Sequence, residues 1–515
     1  MITNIINEVF LELLYMNNIA ILGGGAAGWL TALFLKKVYP SINITIIEDP
    51  SKPPIIAGES GGVSLSLFYR YLNIDLNQWI IETNALPKLG GKFFDWNGVG
   101  TEFIHGSIDR GYDRNYSANV PSFLGKNREF LLCALADELP VEEIFYNAKL
   151  ISLNRLPMSL VNEGMDILMW HFDSRANAAF LKNVGLSRGI KLLEDNYTYA
   201  QKFNNGNIKS LHFSSGASFE ADWFFDCSGF SRLLLEKETK VPFTDLTNLF
   251  PARSVVAWWD KESKLINRTN VSAMKYGWSW NINLYNRAGN GYVFDPDHIT
   301  VDQAIQEANT RFQTTIDPLA TFTFTPSIAT EAWKNNVIAI GLSSGFIEPL
   351  ESNGLSQVIL QLELLERYWN PKSDSSTEKI LYNRYYTHLM NEIINFLSLH
   401  YKGHRRDTDF WKSHAYDSCR TSSELTERLE SWKAGAVLDD VFNFNIYGFE
   451  SYITVIQGLN LVDTSKLKNR LVSKRQGIFA DFYKSQNHLK SFITQLSDNS
   501  LSLEKWTQLT YYNKF

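Results

Sequence analysis

The hydrophobic pattern of the chain changes period twice between Asn18 and Glu48. Asn18–Leu22 is a short apolar run, Ala26–Lys37 carries apolar residues at helical spacing, and Ile42–Glu48 is apolar again. Apolar runs bracketing such a helix are strands buried on both faces, so this stretch predicts the opening βαβ unit of a doubly wound sheet. Leu76–Asn84 reads as a short helix ended before Pro87, and Phe172–Arg188 as a longer helix that steps into a strand over Gly189–Leu193. Ala221–Asp226 and Asn336–Ile340 are further apolar strands. From Pro242 to Thr325 apolar and polar residues alternate, as in Ser254-Val-Val-Ala-Trp-Trp and Trp278-Ser-Trp-Asn-Ile-Asn, which predicts an antiparallel sheet. After Leu355 the pattern is helical to the end, with Asn370-Pro-Lys-Ser-Asp-Ser-Ser as a linker.

At 515 residues the chain exceeds one compact core. Its pattern divides into a leader at residues 1–15 and a nucleotide-binding domain at 16–241 with 326–369. An inserted sheet at 242–325 and a helical C-terminal region at 370–515 then close a substrate site. The leader has an apolar patch without a basic flank and carries Glu12, so it is a poor secretion signal and reads as dispensable. No uninterrupted apolar stretch is long enough for a membrane span, and a formal charge of −6 without a basic run argues against nucleic acid. Cys133, Cys227 and Cys419 lack metal-ligand spacing and read as buried thiols in a reducing, cytoplasmic setting; no metal is expected. A homo-oligomer stays open. The 14 Trp, 23 Tyr and 33 Phe supply a large core and an aromatic-lined pocket.

Candidate chemistry begins at Gly23-x-Gly25-x-x-Gly28, between the first strand and its helix, with Glu48 at the end of the next strand. Glycines let the backbone approach a diphosphate, the helix N-terminus with Ala26 and Ala27 offers N–H groups, and Glu48 can accept ribose hydroxyls. The cradle alone does not separate FAD from NAD. Small residues at two later strand ends, Asp226-Cys-Ser-Gly-Phe230 and Asn336-Val-Ile-Ala-Ile-Gly341, suit a flavin lying across the sheet, so FAD is favoured. The fold class is therefore α/β (α+β): a Rossmann-type, flavin-monooxygenase-like FAD domain with an inserted antiparallel sheet and a mainly helical C-terminal region.

These segments, with Ala57-Gly-Glu-Ser60, Asn84-Ala-Leu-Pro-Lys-Leu-Gly90, His171-Phe-Asp173, Gly277-Trp-Ser-Trp-Asn-Ile282, Gly345-Phe-Ile-Glu-Pro-Leu-Glu-Ser-Asn-Gly354 and His400-Tyr401, resemble the flavin-dependent halogenases typified by the tryptophan halogenases. The resemblance runs from about Asn18 past Gly458. It implies an enzyme that uses FADH2 from a separate flavin reductase, O2 and a halide to make hypohalous acid. That acid passes to Lys88, with Glu351 as partner carboxylate, beside a small electron-rich aromatic such as an indole or phenol. Asn353 and Gly354 fall at the halide place, and Gly58, Glu59 and Ser60 form a strap at the flavin with Gly341, Leu342 and Leu355. Trp278 and Trp280 line the route, and Phe103 and His105 face the substrate. Taken without the resemblance, Lys88 beside Lys92 reads as two solvated lysines, and Glu348 and Glu351 as helix N-terminal acids.

Departures from the family pattern refine the expectation. Asn353 stands where the family has Thr, which points toward bromide or iodide over chloride. Asn283 replaces a Pro, and Leu342 replaces the Asp of ordinary flavin hydroxylases. The segment from Trp96 to His105 is short, so free tryptophan is not expected as the native substrate. The rivals are a flavin monooxygenase that hydroxylates or epoxidises an aromatic or polyketide-like substrate, and a flavin-binding scaffold without chemistry.

Overall fold

Asn18–Leu22 forms the middle of a six-stranded sheet because its side chains are apolar on both faces and both faces are covered. The computed structural model describes residues 18–52, 59–106, 128–158, 169–373, 375–437 and 447–512. The leader and Gly58 lie outside these residues. The strand order is Trp333–Lys334, Val337–Ala339, Trp223–Asp226, Asn18–Leu22, Asn43–Glu48, Lys191–Glu194. All neighbours pair in parallel except the hairpin at the Trp333 edge. The helix Ala26–Val38 crosses between the first two strands and is backed by the helix Ser174–Ser187.

The expected antiparallel sheet is present and larger than the pattern implied. Its seven strands run Ala320–Thr323, Ser254–Asp260, Ala288–Phe294, Gly277–Asn283, Thr269–Met274, Gly90–Phe94, Glu102–Gly106. The last two come from the N-terminal third of the chain, and Gly90–Phe94 joins through a parallel pairing with Thr269–Met274. A small third sheet places Met169–His171 between Ser60–Gly61 and Leu86–Lys88. The strap and the lysine strand thus flank one short strand.

The C-terminal helices cover the open side. Asn353–Tyr368 packs on the cradle helix and on Ser376–His400, and Phe449–Gly458 lies along Glu102–Gly106. Cys133 and Cys227 are buried, but Cys419 is exposed, against the expectation of three buried thiols. It sits in the surface turn Ser418–Arg420, where no core is near enough to claim it.

Trp29, in the first turn after the glycine cradle, is fully buried, and Gly185 of the neighbouring helix makes room for its ring. A Cβ on Gly185 would lie 2.5 Å from Trp29 Cζ3. Helix propensity favours Ala over Gly by about 1 kcal/mol, but overpacking a buried ring costs about 1–3 kcal/mol. The clash wins. Gly185→Ala should lower the melting temperature measured by calorimetry and weaken retention of the flavin in the same preparation.

Candidate active site

The glycine cradle is built to be bare. Gly23 has φ +125°, and a Cβ there would meet Cys227 O at 2.1 Å; one on Gly28 would meet Gly23 O at 1.9 Å. Gly25 precedes the helix Ala26–Val38 with extended backbone, carries no side-chain cap, and has open space around it. The first-turn N–H groups are left for a diphosphate, so the residues present fit a dinucleotide cofactor. Glu48 stands against Gly24, and its Oε1 accepts from Lys182 Nζ at 2.7 Å. At the far strand end Gly341, φ +67°, lies against Ala27, and Gly229 N–H donates to Ser343 Oγ at 2.8 Å. The two later strand-end motifs therefore meet each other beside the cradle. Leu342 and Leu355 are half-buried next to them. Asp226 is a brace: its carboxylate accepts from the N–H groups of Ser228, Leu234 and Leu235.

Lys88 is buried, with Nζ donating to Ser60 Oγ at 3.0 Å and Ser352 Oγ at 3.2 Å. It is no solvated lysine. Burial pulls its amine down to about 8, against the upward pull of Glu351. Lys92, in contrast, pairs with exposed Glu102 at 2.7 Å. His171, on the strand beside Lys88, is buried, and burial first and Lys88 second hold it well below the usual imidazole range.

Glu351 and Ser352 have φ +63° and +57°, two consecutive left-handed residues that are not glycine. Such backbone costs on the order of 1–3 kcal/mol per residue and persists only where its surroundings enforce it. The turn aims Glu351 inward. One oxygen, Oε1, is 2.9 Å from His105 Nδ1 and 2.9 Å from His400 Nε2. Burial alone would raise this carboxyl, but the two imidazoles outweigh it and hold it well below the usual carboxylate range. Lys88 reaches the adjacent Ser352 hydroxyl rather than the carboxylate, and the Glu351 charge acts on its amine from there. Two histidines and a carboxylate are also the donor types of a metal site. The hydrogen bonds account for all three without an ion.

The helix Asn353–Tyr368 starts immediately after this turn with no side-chain cap. Asn353 turns its own amide away, donating to Leu350 O at 2.9 Å and accepting from the Tyr447 hydroxyl. Gly354 is exposed, and a Cβ there would meet nothing within 4 Å. The helix N-terminus is thus free of a side-chain cap and uncrowded at Gly354, which suits an anion. Glu348, three residues before Glu351, is neither exposed nor a helix-end acid. Its Oε2 accepts from Tyr401 Oη at 2.7 Å and Trp278 Nε1 at 3.3 Å, and burial lifts it to about 7 against those hydrogen bonds.

Other expected residues are placed differently. Glu59 is buried in an ion pair with Arg287, which also holds Asp173 at 2.8 Å. Phe103 stacks on Phe93 at 4.7 Å and is covered by Gly458, so its ring packs rather than standing free for a substrate. It borders a cavity of about 630 Å³ that includes neither Lys88 nor Glu351. Trp278 and Trp280 lie 5.9 Å apart, with Trp280 seated over Gly291. His400, Ser352, Arg287 and Tyr447 received no role from the sequence. His400 carried a signal as half of the His400-Tyr401 pair, and Ser352 as the hydroxyl of the Gly345–Gly354 turn.

The sequence profile of the tryptophan halogenase family matches residues 18–473. The tryptophan 7-halogenase RebH of Lentzea aerocolonigenes is 30% identical over 490 residues, covering 87% of this chain and 90% of that protein. The tryptophan 6-halogenase ThaL of Streptomyces albogriseolus is 28% identical, covering 90% and 94%. A flavin-dependent halogenase from Xanthomonas campestris superposes with a TM-score of 0.83 at 26% identity, over 96% of this chain and 98% of that one. With so much of the chain matched, this protein belongs to the tryptophan halogenase family of flavin-dependent enzymes.

Proposed function

We propose that the enzyme halogenates an electron-rich, indole- or phenol-like aromatic other than free tryptophan, with bromide or iodide taken ahead of chloride. The observation that carries this reading is a buried lysine held by two serine hydroxyls beside an ionised glutamate and an uncapped helix N-terminus. Reduced FAD, delivered by a separate flavin reductase, supplies hypohalous acid when it meets O2 and halide. Everything else is asked of the chain.

The N–H groups of Asn353 and Gly354 hold the halide, because an anion in a dry concavity needs donors more than a counter-charge. Softer halides give up electrons more easily, which favours bromide and iodide. Trp278 and Trp280 exclude water along the route. Lys88, as ammonium, donates to the hypohalite oxygen. The aromatic carbon bonds the halogen as the O–X bond breaks, and the oxygen leaves as water with the lysine proton. Glu351 then takes the ring proton on Oε2, the oxygen that accepts no hydrogen bond from the described residues. Ring proton gained and ammonium proton lost balance. A group acting as an acid near neutrality works best with a pKa close to the working pH, and burial has brought Lys88 into that range.

Three outcomes follow. Lys88→Ala should keep FAD but lose brominated product by on the order of 100-fold or more, read from the bromine isotope pattern of indole products. Bromide-independent oxygen insertion by the parent enzyme would instead make it a monooxygenase. The pH profile carries a sign: lowered to about 8, Lys88 is mostly ammonium below that pH, so kcat should fall as pH rises through it. A rise across the same window would assign the chemistry to the neutral amine. In equal bromide and chloride, brominated product should dominate, and free tryptophan should turn over poorly beside substituted indoles and phenols.

A further inference from the structure

His400 ends the helix Ser376–His400 and is fully buried. Its Nδ1 is 2.9 Å from the Phe396 carbonyl, and its Nε2 is 2.9 Å from Glu351 Oε1. A carbonyl oxygen brings no proton to a hydrogen bond, so Nδ1 is the donor there. A neutral ring would then turn the Nε2 lone pair onto a carboxylate oxygen. In a buried site that contact needs a proton, on the ring or on Glu351. Oε1 also receives His105 Nδ1 at 2.9 Å, and an oxygen donating its own proton to His400 is a poor acceptor for a second imidazole. The ring is the better place.

We infer that His400 is a positioning residue held as an imidazolium, the resident counter-ion of Glu351, which leaves the Lys88 ammonium free for the oxidant. This rests on the halogenase reading above and adds a residue to it. The groups facing the contact agree. From Glu102–Gly106 comes His105; from the turn Leu350–Ser352, Glu351 itself; Phe93 and Trp96 bring only rings, at 5.3 and 6.1 Å. Lys88 reaches Ser352, Glu348 is engaged by Tyr401, and the Tyr447 hydroxyl is on Asn353. Glu351 is the one carboxylate bonded to His400 among the described residues. Without His400, the Glu351 charge would bear on His105 and on Lys88, whose amine it already pulls upward.

Nitrogen NMR of the full chain labelled with 15N at its nine histidines tests this directly. His400, assigned by its loss in His400→Gln, should show both ring nitrogens in the imidazolium range at pH 7, and should revert to a neutral Nδ1–H ring in Glu351→Gln. A neutral His400 in the parent enzyme overturns the inference. Kinetics supply a second readout, with flavin fluorescence confirming that His400→Gln still binds FAD. Its kcat should show an acid limb absent from the parent, about tenfold per pH unit below the midpoint, recovering as pH rises with KM little changed. A loss equal at every pH overturns the charge role. The NMR result stands apart from the function: were Lys88→Ala to remain active, the halogenase reading would fail while the His400 charge state would still be measured.

Discussion

The site depends on keeping one carboxylate charged where water is scarce. An isolated ionised carboxyl in a protein interior costs several kcal/mol and ordinarily takes up a proton instead. Glu351 avoids that because two imidazoles from different parts of the fold converge on the same oxygen. The geometry demands a strained turn, which leads directly into an uncapped helix N-terminus and leaves the second Glu351 oxygen with no hydrogen bond from the described residues.

Glu348 shows what happens without that support. It lies three residues from Glu351 and is more deeply buried, yet its partners are a phenol and an indole, which carry no formal charge. Burial therefore dominates, and it stays near neutrality on the titration scale while Glu351 stays ionised. Two carboxyls in one loop are driven apart by environment alone, which is how a site separates proton-holding from proton-accepting groups. Sequence spacing could not assign these roles, since both residues look like acids at a helix start.

What the sequence made legible follows the range of the interactions. The opening βαβ unit and the helix at Ser174–Ser187 were visible because hydrophobic period is a local property, and their ends agree within about two residues. The turn at Gly345–Gly354 was visible because a carboxylate, a hydroxyl and an amide crowd a strand end. The partners of Glu351 were not, since His105 and His400 lie 246 and 49 residues away. The partner of Glu59 was hidden for the same reason: Arg287, 228 residues on, pairs with its carboxylate. The two extra strands of the large sheet escaped because Gly90–Phe94 joins through a distant parallel pairing with Thr269–Met274 that no turn signal announces, and Glu102–Gly106 enters as its antiparallel neighbour.

That ion pair gives the strap its place in the argument. Ser60 follows Glu59 directly, so the residue whose hydroxyl receives Lys88 is tethered through its neighbour to Arg287 and Asp173 on the sheet side. A buried, hydrogen-bonded pair that loses one member leaves an uncompensated charge worth on the order of 3–5 kcal/mol, so the tether resists local displacement. Gly62, two residues on, lies against Ser356 of the helix that begins at the halide place. The strap is thus fixed to the sheet at one end and rests on that helix at the other, with the lysine contact between.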